Sequence, residues 1–508
     1  MNGPGRLRFD LAAEVPPAGR LGRVHVLAVG GAGMSAVARL LHAAGRPVSG
    51  SDAKDSTVLD ALRAEGITVH VGHDAANLNG VDTVVFSSAI REDNPELLRA
   101  RADGLRVLHR SQALTSVMHG RRVVAVAGAN GKTTTTAMLV ELLIEAGRDP
   151  SYAIGGELTG RGTNAALGGG DAFVVEADES DGSFLVYRPQ VAVVTNVQAD
   201  HLDFYGTLEA VQAAYQAFAS TITGTGHAGG LLVACADDPG SAALAARHRD
   251  AGGRVVTYGT QPGADLLLAD PASEGLAARA VLRREGHPQV PLRLNVPGEH
   301  NLRNAAAAYL AATDGLGLSE EAARAGLVAF GGVRRRFEAR GVADGVRVVD
   351  DYAHNPAKVA AVVSTARALR EGGRLIAVFQ PHLYSRTRDF AAEFGAALAG
   401  ADIVVVLDVY AAREDPLPGV SGSLVAQAAR DAGAGHVVDL SAAPARPAGT
   451  GIAGTVPARS PGAPAVLDAV APVVALARRG DLVVTIGAGD VTRLGAPLLQ
   501  ALARREEG

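Results

Sequence analysis

The stretch VVAVAGANGKTTTT, Val123–Thr136, decides how the centre of this chain is read. A short β-branched run enters a glycine loop, and a lysine with a threonine cluster then opens an apolar, helix-like stretch, AMLVELLIEAG. Such a loop turns backbone N–H groups toward a phosphate, and the helix N-terminus behind it adds positive dipole. In this pattern Lys132 reaches the β- and γ-phosphates and a threonine hydroxyl reaches Mg2+. Only three lysines, Lys54, Lys132 and Lys358, stand among the 48 basic residues, and one of them is kept inside the glycine loop. The full phosphate-loop pattern asks for glycine at 126 and finds Val126, so the signal is GxxGKT. A plain glycine turn is the competing reading. Strand, Gly-Lys and threonines together favour a bound nucleoside triphosphate.

Outward from this loop, β-rich runs feed glycine turns and helix-like segments three times. The first unit holds VHVLAVGGAGMSAVARLLHAAG (Val24–Gly45), a strand ending at SGSD (Ser49–Asp52), and VDTVVFSSAI (Val81–Ile90). The second follows the loop with AFVVEADE (Ala172–Glu179), VAVVTNV (Val191–Val197) and LLVACADD (Leu231–Asp238). The third contains GRLIAVFQP (Gly373–Pro381), DIVVVLDVY (Asp402–Tyr410) and DLVVTIGAGD (Asp481–Asp490). Strands alternating with helices argue parallel, doubly wound sheets, and continuous Val/Ile runs fit strands buried on both faces. The expected fold class is therefore α/β, three domains each with a mainly parallel sheet flanked by helices. Boundaries near His119 and Arg335 give residues 1–118, 119–334 and 335–508. Ser441–Ala465, rich in Pro, Ala and Gly and without periodicity, reads as a flexible surface loop of the third domain.

In the first unit Gly31, Gly33 and Ala36 satisfy G-x-G-x-x-A after a strand, and Asp52 follows at the distance of a ribose-binding acid. Alone this suggests a dehydrogenase. A helix N-terminus with glycines binds any diphosphate, however, and a UDP-sugar presents a diphosphate and a ribose as well. In the second unit EADESDGSF (Glu176–Phe184) begins at a strand end, where acids beside a triphosphate loop are placed to hold Mg2+. NVQADHLDFY (Asn196–Tyr205) adds Asp200, His201 and Asp203 after the neighbouring strand. PGEHNLRNAAAA (Pro297–Ala308) opens a helix with Asn301 and Asn304 on one face, suited to an adenine edge; helix capping is the alternative for Asn301.

Composition excludes other classes. The 508 residues and 47% apolar content support about three cores, and the net charge of −5 offers no footprint for nucleic acid or a membrane surface. One cysteine, Cys235, fits a reducing cytoplasm. Arg6, Arg8, Asp10 and Glu14 interrupt the apolar core a secretory leader needs, and no apolar run is long enough to span a bilayer.

Taken in order, VGGAGMSAVA, SGSD, SSAI, GANGKTTTT, EADESDGSF, ADHLDFY, HNLRNAAAA, RRRFE, DDYAHNP, FQPHLYSRT, LDVYAARE and GAGD resemble the motif series of the Mur ligases over nearly the whole length. The GGxGMS loop with EADESDGS resembles the L-alanine-adding branch rather than its D-glutamate, diaminopimelate or D-Ala-D-Ala siblings. The resemblance implies UDP-substrate, ATP and amino-acid domains, the last closing over the others. It implies cytoplasmic, ATP- and Mg2+-dependent ligation of L-alanine to UDP-N-acetylmuramate for peptidoglycan synthesis, through an acyl phosphate. A murein tripeptide-recycling ligase is the alternative within the family, and a non-catalytic nucleotide-binding module the alternative outside it.

Residue by residue, the resemblance assigns Gly31, Gly33, Met34, Ser35, Asp52, Ser87 and Ser88 to the UDP-substrate. It assigns Gly128, Asn130, Gly131, Lys132, Thr133 and Thr134 to the ATP phosphates, with Asn301 and Asn304 on the adenine side, Arg335 or Arg336 on the phosphates, and Asp351 completing the site. Thr133, Glu176 and His201 are the implied Mg2+ ligands; His354 and Arg386 are the implied alanine site, Arg386 pairing with its carboxylate. Four positions depart from the family pattern: Asn130 and Asn355 stand for histidines, Gln198 for a glutamate and Leu383 for an arginine. No lysine lies between His201 and Arg247, so the carbamylated lysine of some siblings is absent.

Overall fold

The computed structural model describes residues 7–224, 230–274, 277–370, 372–412, 414–441 and 465–507; most of the Pro/Ala/Gly-rich segment, 442–464, lies outside them. Three sheets organise the described residues. The first is wholly parallel, in the order β3-β2-β1-β4-β5, from β1 (Val24–Leu27), β2 (Val48–Asp52), β3 (Thr68–Val71), β4 (Thr83–Phe86) and β5 (Arg106–His109). Its strands alternate between two covered faces: Val24, Val26 and Val85 pack with Val37, Leu40 and Leu41 of helix Ala32–Ala43, while Leu27, Val84 and Phe86 pack with Leu97. Burial along their whole length is why the central strands β1 and β4 read as largely apolar runs, whereas the edge strand β3 is partly exposed.

The second sheet comprises β6 (Arg122–Ala127), β7 (Ser151–Ala153), β8 (Ala165–Ala166), β9 (Ala172–Glu176), β10 (Val191–Val194), β11 (Leu231–Cys235), β12 (Arg254–Gly259), β13 (Leu266–Glu274), β14 (Ala277–Arg283) and β15 (Val290–Leu294). Its order is β15-β14-β13-β12-β11-β10-β6-β9-β7-β8. The seven strands from β13 to β7 run parallel; β13, β14 and β15 form an antiparallel meander at one edge, and β8 is an antiparallel strand at the other. The expectation of mainly parallel sheets holds, and the sequence did not single out these antiparallel edges. In β14 only alternate residues are covered, Ala278, Ala280 and Leu282 being buried, and such an alanine-rich strand has little β-branched signal to announce it. The third sheet, β16 (Glu338–Ala343), β17 (Val346–Asp351), β18 (Leu375–Phe379), β19 (Ile403–Val406), β20 (Val437–Asp439) and β21 (Leu482–Ile486), runs β16-β17-β21-β18-β19-β20. Only β16 is antiparallel there.

The chain divides into two compact units, Met1–Val333 and Arg334–Gly508. The first two sheets share the first unit because one apolar cluster runs through both, from Val26 and Leu114 to Val123, Ala125 and Phe173.

Within the second sheet β6 lies between β9 and β10, so the glycine loop leaves the sheet at a point where connections diverge, the usual crevice of open α/β folds. Val126 is still strand, buried and paired with Val193 on one side and Glu176 on the other. The chain therefore needs no glycine until it leaves the sheet. Gly128 and Gly131 then adopt φ of +137° and +87°. A β-carbon at Gly128 would stand 1.9 Å from Thr195 Oγ1, and one at Gly131 2.5 Å from Asn304 Oδ1.

The first sheet also holds a buried polar cluster. Glu96, fully buried, accepts hydrogen bonds from Ser51 Oγ (2.7 Å) and Asn77 Nδ2 (2.7 Å), contacts His73 Nδ1 (2.7 Å), and lies 3.3 Å from His25 Nε2. Burial pushes the Glu96 carboxyl up, but the hydrogen bonds from His25, His73, Ser51 and Asn77 outweigh it and hold it well below the usual carboxylate range. His73 is raised, mainly by its hydrogen bond to Glu96.

Gly128→Ala is expected to lower stability by about 1–3 kcal/mol, through backbone strain and the Thr195 contact, in thermal or urea unfolding. Glu96→Ala is expected to cost about 3–5 kcal/mol, since it strands buried partners. The pH dependence has a definite sign. The depressed Glu96 stabilises the fold above its unfolded pKa of about 4.3 and loses that effect as pH falls. The raised His73 contributes fully below about 6.5 and loses its effect above. Wild-type stability should be greatest between those limits, and Glu96→Gln should flatten the profile.

Candidate active site

Lys132 opens helix Lys132–Glu145. Its Nζ donates to the Gly128 carbonyl (2.6 Å) and to Glu179 Oε1 (2.8 Å). Burial works against the lysine's charge, but the carboxylates of Glu179, Asp178 and Glu176 outweigh it and raise its pKa. The Glu179 side chain is only 3% exposed, and burial pushes its pKa up. Beside this pair, Thr133 Oγ1 donates to Glu176 Oε1 (2.9 Å), while Glu176 Oε2 accepts from Gly155 N (2.7 Å). Thr134 follows half-buried on the same helix.

The acidic segment after β9 thus faces two ways. Glu176 and Glu179 serve the glycine loop. Asp178 takes Arg110 at 3.1 Å, and Asp181 takes the Ser88 hydroxyl at 2.6 Å, both partners lying on the first sheet's side of the unit. Burial is outweighed at Asp178 by Arg110 and Lys132, which hold its carboxyl well below the usual range. Sequence reasoning picked Glu176 from this cluster and missed Glu179. Once the chain leaves a strand, spacing no longer tells which side chain turns which way.

The loop is gripped from β10. Thr195 Oγ1 (2.6 Å) and Asn196 Nδ2 (2.9 Å) donate to the Asn130 carbonyl, and Asn130 N donates to Asn196 Oδ1 (2.9 Å). Thr195 and Asn196 were read only as the end of a strand. The Asn130 amide donates to Gln198 Oε1 (3.3 Å), and Gln198 Nε2 to Asp238 Oδ2 (3.0 Å). His201 adopts a left-handed backbone, φ 54°, with Nε2 3.7 Å from Glu179 Oε1 and 3.8 Å from Asp200 Oδ2. The Asp203 side chain lies outside the described residues. Asn301 and Asn304 are both buried: Asn301 Nδ2 turns back to the Pro297 carbonyl (2.7 Å), and Asn304 lies between Asn301 and Gly131. Asn304 stands against the loop at Gly131, while Gly298 takes the N-cap position of the helix without a side-chain cap.

Among the described residues no three His, Cys, Asp or Glu side chains form a ready-made cation cage. The donor set beside the loop still suits a hard divalent ion: a hydroxyl and a carboxylate in contact at Thr133 and Glu176, and the buried carboxylate of Glu179.

In the first sheet's turn Gly31 caps helix Ala32–Ala43, and Asp52 Oδ2 accepts from Gly30 N (3.0 Å), so this acid shapes the turn itself. Met34 and Ser35 point inward, at 4% and 2% exposure, and the Ser35 hydroxyl donates to the Ala32 carbonyl (3.1 Å). What they offer a ligand is backbone, not side chain. Ser87 is half-buried and Ser88 exposed.

The second unit gathers its expected residues at the C-terminal edge of its sheet. Asp351, at the end of β17, accepts from Phe337 N (2.8 Å) and Ala353 N (2.7 Å), and burial raises its pKa. Arg335, with φ 61°, donates to the carbonyls of Gly487 (2.7 Å) and Gly489 (3.1 Å) and lies over Tyr352; it is an internal clamp. Arg336 lies over the same ring, 5.4 Å from its centroid, and acts on Asp351. Burial, then Lys358, pushes the His354 imidazole well below its ordinary value, and Arg386 Nη1 donates to the His354 carbonyl (3.3 Å). Asn355 caps helix Pro356–Leu369, accepting from Lys358 N (2.9 Å). Leu383, at φ 71°, is buried.

Three family models cover most of the chain: Mur ligase family, catalytic domain, over residues 23–122; Mur ligase middle domain over 126–312; and Mur ligase, glutamate ligase domain, over 335–489. The UDP-N-acetylmuramate–L-alanine ligase of Kineococcus radiotolerans is 55% identical over 496 residues, covering 97% of this chain and 99% of that one. Its namesake from Nocardioides sp. is 50% identical, covering 98% and 100%. Among solved structures, the UDP-N-acetylmuramate-alanine ligase of Thermotoga maritima superposes with a TM-score of 0.75 at 26% identity, covering 96% of this chain and 100% of that one. A murein peptide ligase of Psychrobacter arcticus shares the fold, with a TM-score of 0.67 at 24% identity over 95% and 99%. The chain belongs to the Mur ligase family.

Proposed function

We propose that the chain joins L-alanine to UDP-N-acetylmuramate with conversion of ATP to ADP and phosphate, a cytoplasmic step in making peptidoglycan precursors. The observation that carries this reading is the largely covered Lys132 in its glycine loop, facing Glu179 and Glu176, in a chain whose full-length relatives bear that activity in their names. Those relatives favour it over tripeptide recycling. Among the described residues no helix is long and apolar enough to cross a membrane.

In this proposal residues 1–118 bind the UDP-substrate, 119–334 bind ATP and 335–508 receive the amino acid. The muramyl carboxylate attacks the γ-phosphorus, ADP leaves, and an acyl phosphate forms. The alanine amine then attacks the acyl carbon, loses a proton, and phosphate leaves from the tetrahedral intermediate. A carboxylate is a poor acyl donor until phosphorylated, and phosphoryl transfer depends on positioning and charge neutralisation. Lys132 and the N–H groups of the Gly128–Gly131 loop hold the β- and γ-phosphates. Thr133, Glu176 and His201, joined by Glu179, are the side chains proposed to hold Mg2+, which when bound neutralises phosphate charge. His354 and Arg386 are proposed to receive alanine, the guanidinium pairing with its carboxylate. Amino-acid-dependent phosphate release with UDP-N-acetylmuramate, compared across alanine, glycine and serine, tests the reading; release equal without any amino acid overturns it.

Lys132→Ala is expected to cut phosphate release by about 10²–10³-fold or more, by removing a cation that acts in the transition state, while UDP-substrate affinity stays near wild type. Near-normal turnover in this variant would remove the loop from the mechanism. Arg386→Ala is expected to raise the KM for alanine by the equivalent of about 2–5 kcal/mol, with the KM values for ATP and UDP-N-acetylmuramate little changed. An unchanged alanine KM would place the amino-acid carboxylate elsewhere.

A further inference from the structure

The irregular segment 7–17, an arm that precedes the first sheet, has no part in the catalytic scheme. Two of its residues, Arg8 and Phe9, nevertheless converge on Ser88 from different directions. Arg8 takes the backbone. Its Nη1 donates to the Ser88 carbonyl (3.0 Å) and to the Ile90 carbonyl, its Nη2 pairs with Glu92, and its guanidinium lies over the Phe86 ring, 5.2 Å from the centroid. Within the same turn Ile90 N donates to the Ser87 carbonyl (3.0 Å), so Arg8 grips from outside a turn that is closed by this bond from within. Phe9 takes the side chain, by way of His109. The two rings stack, with centroids 4.7 Å and planes 7° apart, and Phe86 meets the imidazole at a steep angle. Ser111 N donates to His109 Nδ1 (3.4 Å), which leaves the ring proton on Nε2, 3.1 Å from Ser88 Oγ. Burial pushes the His109 imidazole down to about 4, so the ring is neutral. The Ser88 hydroxyl gives its own proton to Asp181 Oδ2 (2.6 Å). An exposed hydroxyl is thus aimed from both sides by fixed groups, with one lone pair left over. Core packing accounts for Phe9 in part, since it lies against the first apolar cluster, but not for Arg8. Ordering an arginine side chain costs rotamer entropy, and the bonds that offset it here go to a surface turn.

We propose that Arg8 and Phe9 are positioning residues for the UDP-substrate: Arg8 fixes the Ser87–Glu92 turn through its carbonyls, and Phe9 aims the Ser88 hydroxyl through His109. This rests on the reading of the first domain as the UDP-substrate site. Neither arm residue is a ligand contact; both act through the turn. A turn held in place before binding loses less freedom when the ligand arrives, so the arm acts on affinity for the UDP-substrate and not for ATP or alanine.

The test is steady-state kinetics of the full chain in all three substrates, with calorimetric titration of UDP-N-acetylmuramate and amide hydrogen exchange at Ile90. Arg8→Ala and Phe9→Leu are each expected to raise the KM for UDP-N-acetylmuramate by about 3–20-fold, with kcat and the KM values for ATP and alanine within about twofold. Arg8→Lys keeps the charge but loses the fork and should fall between wild type and Arg8→Ala. Phe9→Tyr keeps the stack and should restore the wild-type KM. In the unliganded chain Arg8→Ala should speed exchange of the Ile90 amide; exchange at the wild-type rate overturns the part assigned to Arg8. An unchanged KM for UDP-N-acetylmuramate in both Arg8→Ala and Phe9→Leu overturns the proposal. A rise in all three KM values in step with a falling melting temperature also overturns it, leaving the arm a purely structural element. A wild-type chain that does not bind UDP-N-acetylmuramate overturns the substrate-site reading itself.

Discussion

The buried contact between Lys132 and Glu179 is the constraint around which the first unit is arranged. An ammonium and a carboxylate, both nearly withdrawn from water, tolerate burial only while each meets the other and the backbone around them. That requirement fixes the segment after β9 at a set distance from the glycine loop. With Glu179 turned to the lysine and Glu176 to Thr133, Asp178 and Asp181 are left facing the other way, where Arg110 and Ser88 meet them. One short run of acids thereby ties two sheets to one another.

The loop itself is shaped by close approach. Thr195 and Asn304 crowd Gly128 and Gly131 so tightly that no side chain fits at either position. Thr195 and Asn196 bind the Asn130 carbonyl, pulling the loop onto the end of β10. The loop's backbone is thus preformed, as the proposed neutralisation of phosphate charge without reorganisation would need. The left-handed backbone at His201 belongs to the same economy of geometry, since a strained residue persists only where its surroundings hold it.

The departures from the family pattern have local physical roles. Asn130 and Gln198, two neutral amides, bond to each other and hand the contact on to Asp238, which also caps helix Pro239–Asp250 through Ser241 N. Asn355 is a helix cap, a position asparagine favours. Leu383 fills a buried position at the start of helix Tyr384–Asp389, and Arg386 reaches the His354 carbonyl from within that helix.

By itself the sequence determined the α/β class, three mainly parallel sheets, the glycine turns at Gly31–Gly33 and Gly128–Gly131, and the central place of Lys132. These follow from local chemistry: β-branched runs covered on both faces, glycines where only glycine fits, and a lysine kept amid arginines. Tertiary structure alone decided the rest. It showed that the antiparallel edge β13–β15 completes the second sheet, because an alanine-rich strand covered on one face has too little periodic signal to be read. It put Glu179 rather than Glu176 on Lys132, turned Met34 and Ser35 inward, and set Asn304 against Gly131. It made Arg335 a clamp on the carbonyls of Gly487 and Gly489. In each case the deciding quantity is the direction of a side chain beyond the end of a strand or helix. Partners distant along the chain set that direction, and no local period encodes it.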